Sequence, residues 1–207
     1  MNKNKALRAT AMASVLMSGA AWATDGYFPH GYGMKALGMG GASVAMTDNA
    51  FAGANNPATA AFAGNRYELG VNVFMPKRGA SEGTGAPFVD SASRTFLIPE
   101  FGYNTDFSKD TSGGVTVYGN GGMNTDYAAG AIQSLMGTGK TGVNRMQLIV
   151  APTLAYKLND SSSVGVSLLL VYQSFKANGL GGFAGFSTAP SSLSNNGADS
   201  STGLGFR

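Results

Sequence analysis

Ser134-Leu-Met-Gly-Thr-Gly-Lys-Thr141 nearly spells a phosphate-binding loop. Such a loop needs glycines that let backbone N–H groups close on phosphates, a Lys to reach them, and a helix directly after. Here Ser134 stands where the first Gly belongs, no apolar strand precedes it, and the strand-like run Met146 to Val150 follows. Gly31 to Gly41 contains several glycines but follows no strand, so a dinucleotide fingerprint fits poorly. His30 is the only His and cannot build a multi-His metal site. No nucleophile-elbow motif offers it a Ser partner. The carboxylates are scattered, and nothing marks a paired acid and base. There is no Cys, hence no disulfide and no thiolate metal site. These residues point to no enzyme, no cofactor and no metal.

The elements explain why. Residues 1–23 read as a secretory signal peptide: Lys3, Lys5 and Arg8 form a basic start, Ala9 to Ala20 a short apolar run, and Ala21-Trp22-Ala23 a cleavage site. The run is too short and small-sided to span a bilayer as a helix. The whole chain carries 14 Lys+Arg against 11 Asp+Glu. Three of the bases sit in the signal, so the rest is balanced and its charge suggests no nucleic-acid partner. Gly is abundant at 31 of 207, and charged residues make up 12%, about half the usual share. No run reaches the roughly 18 apolar residues of a membrane helix. This composition fits a transmembrane β-barrel and also a secreted Gly-rich adhesin.

Periodicity separates the two better. Tyr67, Leu69, Val71, Val73 and Met75 alternate with Glu68, Gly70, Asn72 and Phe74. Met146, Leu148, Val150, Pro152, Leu154 and Tyr156 alternate with a smaller or more polar set, and Val164, Val166, Leu168, Leu170 and Tyr172 make a third apolar row. Thr95 to Asn104 and Gly113 to Gly119 are weaker strands, and Gly203 to Arg207 starts a sixth. Period two with one apolar face is a strand signal, and about ten residues cross a bilayer at a tilt. Val71, Val73, Leu148, Leu168 and Leu170 are expected to face lipid. Pro152 cannot donate to a ladder, which suggests a local bulge. The connections at 77–94, 105–112, 120–143, 158–163 and 177–202 run long, short, long, short, long. Outer-membrane barrels alternate in this way, with long loops outside and short turns in the periplasm. Residues 24–65, which precede the first strand, are rich in Gly and Ala. They are either a periplasmic tail or a plug inside the lumen.

Gly33-Met-Lys-Ala-Leu-Gly-Met-Gly-Gly-Ala-Ser-Val-Ala, then Asp48-Asn-Ala, then Asn56-Pro57-Ala58 resembles the N-terminal hatch of FadL/TodX-type outer-membrane transporters of long-chain fatty acids and hydrocarbons. The likeness continues through Arg66 to Pro76, Gly113 to Tyr127 and Asn144 to Asn178. It implies an all-β fold: an antiparallel outer-membrane β-barrel with an N-terminal hatch. The chain then divides into a signal peptide (1–23), a hatch (24–65) and a partial barrel (66–207). Family barrels have about 14 strands, and single-chain barrels start at about eight. The five or six strands here are expected to be the N-terminal part of a truncated or incomplete chain.

The resemblance also implies a mechanism. Extracellular loops catch a fatty acid or hydrocarbon, which passes the hatch and leaves sideways through a gap in the wall near the third strand. Partners would be outer-membrane lipid, the hydrophobic cargo and, during biogenesis, the barrel-assembly machinery. Leu180, Phe183, Phe186 and Leu193 lie where the capture groove would sit, and they form either that groove or the loop's own core. Gly119, Gly121 and Gly122, at the outer end of the third strand, mark either a kink or an ordinary loop start. Asn56-Pro57-Ala58 is expected close to that strand, with Asn56 bonding wall backbone groups that the kink leaves unpaired. A general porin or structural barrel remains an alternative, although a sugar or ion porin should line its lumen with charge.

Overall fold

Alternating large and small residues assemble into one curved wall. The computed structural model describes residues 28–121, 124–131, 139–193 and 197–207. The expected signal peptide (1–23), the first residues of the expected hatch, and Gly122 lie outside them. The strands are β1 (Arg66–Phe74), β2 (Gly79–Ala80), β3 (Val89–Asp90), β4 (Phe96–Asp106), β5 (Thr111–Gly121), β6 (Thr125–Tyr127), β7 (Thr141–Asn159), β8 (Ser162–Asn178) and β9 (Asp199–Phe206). The main sheet is antiparallel in the order β1-β4-β5-β7-β8-β9, with β6 also paired to β7. β2 and β3 form a small ribbon of their own within the 77–94 connection. Each long strand of the wall pairs with the next long strand along the chain, which is the up-and-down path that short turns and long loops demand. β7 and β8, at 19 and 17 residues, are longer than a bilayer crossing needs, so their hairpin projects past it.

The outer face of the wall is apolar and the inner face small or polar. Val71 (53% exposed), Val73 (51%), Leu148 (45%) and Leu170 (42%) point outward, in register with Leu69, Leu97, Val166 and Leu204. Leu168 shares their row and is half-covered. The inner row carries Glu100, Asn104, Ser112, Thr116, Asn120 and Ser167, all buried. They are buried because residues 28–65 pack against that face. No helix among the described residues is long and apolar enough to cross a membrane.

Pro152 does not cause the expected bulge. Val150 pairs with Leu170 and Thr153 with Ser167 in the same register, so the ladder to β8 is interrupted but not shifted. A missing N–H removes a bond without adding a residue. The register shift falls instead at Lys157/Asn159, beside the tight turn into β8.

The inner segment is built from very short helices: α1 (Met34–Gly38), α2 (Ala52–Asn55), a 3-10 turn (Pro57–Thr59) and α3 (Ala60–Ala63). Isolated helices of this length do not hold themselves in water, so the wall must stabilise them. Two apolar clusters do so. Tyr32, Phe51 and Ala54 meet Tyr118, Ile149 and Ala151. Ala52, Ala60 and Ala61 meet Ala155. The preponderance of Ala lets backbone approach backbone, the close contact that Gly and Ala suit in a confined lumen.

Candidate functional site

Several contacts between the inner segment and the wall run from wall side chains to backbone groups of the segment, while at Asn65 the sense reverses and its Oδ1 accepts from Asp106 N at 2.7 Å. Asn104 Nδ2 donates to the carbonyls of Ala60 (3.1 Å) and Gly64 (2.9 Å) at the end of α3. Ser163 Oγ donates to Ala58 O at 2.8 Å. The N–H of Gly33 donates to Glu100 Oε2 at 2.9 Å. The physical cause is arithmetic of donors and acceptors. Strand backbones spend theirs on the ladder, whereas a helix of four or five residues leaves most of its groups without a partner.

Asn56-Pro57-Ala58 obeys the same rule and so departs from the expectation. Asn56 bonds within its own segment: Oδ1 accepts from Ala58 N (3.1 Å) and Nδ2 donates to Val44 O (2.8 Å). It caps the 3-10 turn, with Pro57 at the first turn position, where its missing N–H costs nothing. The triplet does not lie against the third strand, β5. It lies against β8, where Ser163 reaches Ala58 and the backbone of Gly165 faces Pro57 and Ala58. A Cβ at Gly165 would collide with the Pro57 carbonyl group, so that position must be Gly for the triplet to seat. The parts of the segment that do meet β5 include Tyr32, α2 and α3. Tyr32 stacks on Tyr118 with ring centroids 4.2 Å apart and its hydroxyl donates to Asn120 Oδ1 at 2.5 Å. Burial, and then the neighbouring Tyr118, push the Tyr32 phenol above its ordinary range, so it stays a donor. Near the start of the segment, Lys35 Nζ bonds Asp48 Oδ2 at 3.0 Å and holds that exposed carboxyl below the usual range.

The wall is incompletely sealed at one place. β4 and β5 pair from Asp106/Ser112 up to Phe101/Val117 and no further. Beyond that, β4 continues to Phe96 bonded to β1 alone, and β5 continues to Gly121 bonded to β7 alone. Higher up the two sides rejoin, where Ala92 N donates to Asp126 O at 2.8 Å and Asp126 N to Ser91 Oγ at 3.0 Å. The result is a bounded window without ladder bonds, filled by side chains. Ile98 Cγ2 stands 3.1 Å from where a Cβ on Gly119 would be. Gly121, at the upper end of β5, has φ +152°, a conformation that other residues rarely adopt. Gly122 lies outside the described residues. A cavity of about 440 Å³ opens at the lower rim from the outer face, among Leu69, Val71, Phe101, Val117 and Leu148, and reaches Glu100. A second, of about 620 Å³, lies on the inner side between residues 28–55 and β7–β9, lined in part by Tyr32, Tyr118, Ile149 and Val171.

The 177–202 connection holds two 3-10 segments, Leu180–Phe186 and Pro190–Ser192. Phe186 is 90% exposed and Phe183 39%, while Leu180 and Leu193 are partly covered. This loop follows the end of β8 opposite to the Ser163 end on which Asn56-Pro57-Ala58 rests. The structure therefore does not bring the three expected groups together. They mark one end of the wall, its window and its other end.

The sequence model of the family described as outer membrane protein transport protein (OMPP1/FadL/TodX) matches residues 11–205. The chain belongs to this family. Members of the FadL/TodX family are bacterial outer-membrane transporters of hydrophobic compounds and not enzymes. The wall also has the fold of solved barrels. It is similar to the toluene transporter TodX of P. putida at TM-score 0.68 and 21% identity, over 86% of this chain and 51% of that one. It is similar to the toluene transporter TbuX of Ralstonia pickettii at TM-score 0.64 and 20% identity, over 86% and 52%. The chain thus spans about half the length of the solved FadL/TodX structures it matches. Among curated proteins, none matches it in sequence.

Tyr32, Asn55, Glu100, Asn104 and Asn120 were not singled out from the sequence. One signal was available for Glu100. It occupies the inward row of a strand whose outward row is Leu97, Pro99 and Phe101, and a charge in a transmembrane strand is a reason to look.

Proposed function

We propose that the complete protein is an outer-membrane channel through which hydrophobic compounds, long-chain fatty acids first among them, leave sideways through the wall. The window between β4 and β5 is the observation that carries this reading. A lumen-to-membrane route needs a place where neighbouring strands are not hydrogen-bonded, because opening a ladder in lipid costs several kcal/mol per unsatisfied group. Residues 1–23 direct export, residues 24–65 form the hatch, and residues 66–207 supply the first part of a barrel assembled by the barrel-assembly machinery. Leu180, Phe183, Phe186 and Leu193 supply an apolar landing surface. Asn56-Pro57-Ala58 is a rigid bend that keeps the hatch seated, and Gly119 and Gly121 shape the upper edge of the exit.

The test is uptake by a strain without its own transporter, expressing the complete chain and given labelled oleate and, separately, labelled toluene. Uptake of oleate is expected. Gly121→Val, which cannot easily keep φ +152°, and Asn56→Ala, which removes the turn cap, are each expected to lower uptake with the barrel still folded. Normal uptake in both variants would sink the sideways exit. Uptake of toluene alone would reassign the cargo to hydrocarbons.

A further inference from the structure

We propose that Glu100 and Asn120 are positioning residues that hold Tyr32–Gly33 as a strap across the window between β4 and β5. The strap touches both edges. On the β4 side, Gly33 N donates to Glu100 Oε2 at 2.9 Å. On the β5 side, the Tyr32 hydroxyl donates to Asn120 Oδ1 at 2.5 Å and its ring lies on Tyr118. From behind, Asn55 grips the Tyr32 backbone twice: Oδ1 accepts from Tyr32 N and Nδ2 donates to Tyr32 O, both at 2.9 Å.

This clamp sits where the ladder fails. Glu100 is the first β4 residue past the last pair with β5, and Asn120 is three residues past it on β5. The strap therefore joins strands that do not bond each other there. Its attachments also adjoin two spaces. The larger cavity is lined by Tyr32 and Tyr118, and the outer-face cavity by Val117 and Glu100. Moving the strap would connect them without breaking a single strand pair.

The clamp is also loosely held for a buried polar group. Glu100 and Asn120 are 6% and 3% exposed. Yet Glu100 Oε1 and Asn120 Nδ2 have no hydrogen-bond partner among the described residues. A fully satisfied buried network rigidifies a fold, and a half-satisfied one yields more readily. Asn104, by contrast, has both its Nδ2 bonds made to the carbonyls of Ala60 and Gly64. The wall thus bonds the inner segment completely through Asn104 at α3 and incompletely through Glu100 and Asn120 at Tyr32–Gly33, as a gate hinged at one end would be.

The strap is a gate only if the sideways-exit reading holds, but its movement can be read with no cargo present. Ser43, 4% exposed, lines the larger cavity, and Ser43→Cys is nearly isosteric there. The complete protein, folded in the outer membrane in a background without other cysteines, is treated with N-phenylmaleimide. Folding of each variant is checked by heat-modifiable gel mobility. Labelling of Ser43→Cys alone should be slow. Adding Glu100→Leu or Asn120→Leu should speed it about tenfold, the expected effect of losing one charge-assisted or buried hydrogen bond on a local opening. Glu100→Gln, which keeps an acceptor facing Gly33 N, should label at the rate of Ser43→Cys alone. Where a Leu variant does not fold, Tyr32→Phe, which removes only the hydroxyl, should give the same acceleration. Unchanged labelling in folded Leu and Phe variants overturns the strap. Equal labelling of Glu100→Gln and Glu100→Leu overturns it too, because the acceptor would then be immaterial. Faster labelling with unchanged uptake in the same variants supports the strap and refutes the sideways exit, so the two readings fail separately.

Discussion

At the scale of single residues, the seating of the inner segment depends on who supplies bonds to whom. A short helix or 3-10 turn exposes carbonyls that the wall must answer, and Asn104 and Ser163 do so. Asn56 is a capping residue of the segment itself, which gives it a structural duty even though it makes no bond to the wall in the structure. One tight seat is Gly165. Its backbone faces Pro57 and Ala58 so closely that any Cβ must displace them. Gly165→Val is therefore expected to destabilise the seat by about 1–3 kcal/mol, as overpacking does. Limited proteolysis of the folded protein should show faster cleavage within 44–60 than in the parent. Unaltered cleavage would mean that the triplet does not rest on β8.

At the scale of elements, the strands are two-faced, and the faces have opposite tolerances. Leu170 lies in the outward row beside Val150 and Leu204. Gln147 lies in the inward row, where its Nε2 donates to Gln173 Oε1 at 2.7 Å. Leu170→Arg should cost about 2–4 kcal/mol if this part of the strand sits near the bilayer midplane. Gln147→Arg should leave the barrel folded. Denaturant unfolding in detergent or lipid vesicles measures both. The reverse ranking would invert the assignment of faces. β4 and β5 show why faces alone are not the whole description of a strand. Each keeps its alternation above Phe101 and Val117 while losing the partner on one side.

At the scale of the whole molecule, membrane residence agrees with an apolar outer face, and we propose that the basic leader at residues 1–23 directs export. A folded wall with Leu69 78% and Leu97 69% exposed would aggregate in water, since such a surface is contiguous across neighbouring strands. The complete protein should fractionate with the outer membrane, and its mature form should begin at Thr24. Terminal sequencing of the membrane fraction checks both. A cytosolic product that retains Met1 would count decisively against export.

Much of this was legible in the residues. The period of two and the long-short rhythm of connections gave the antiparallel wall and its two faces, because a strand in lipid must show one apolar row. The order of Gly-rich stretch, Asp48-Asn49-Ala50 and Asn56-Pro57-Ala58 gave the family resemblance. What the pattern could not give was register between segments far apart in sequence. Asn56 reads as a group that could bond a kinked wall; only the fold shows that its bonds go to Val44 and Ala58 and that its neighbours rest on β8. Tyr32 and Asn120 are unremarkable as letters, Glu100 stands out only as a charge within a strand, and the three are separated by 68 and 20 positions. They become one clamp only because β4 and β5 part beside each other and the inner segment crosses there. Local alternation is written in each strand, whereas where two strands stop bonding is a property of the pair and of what lies behind it.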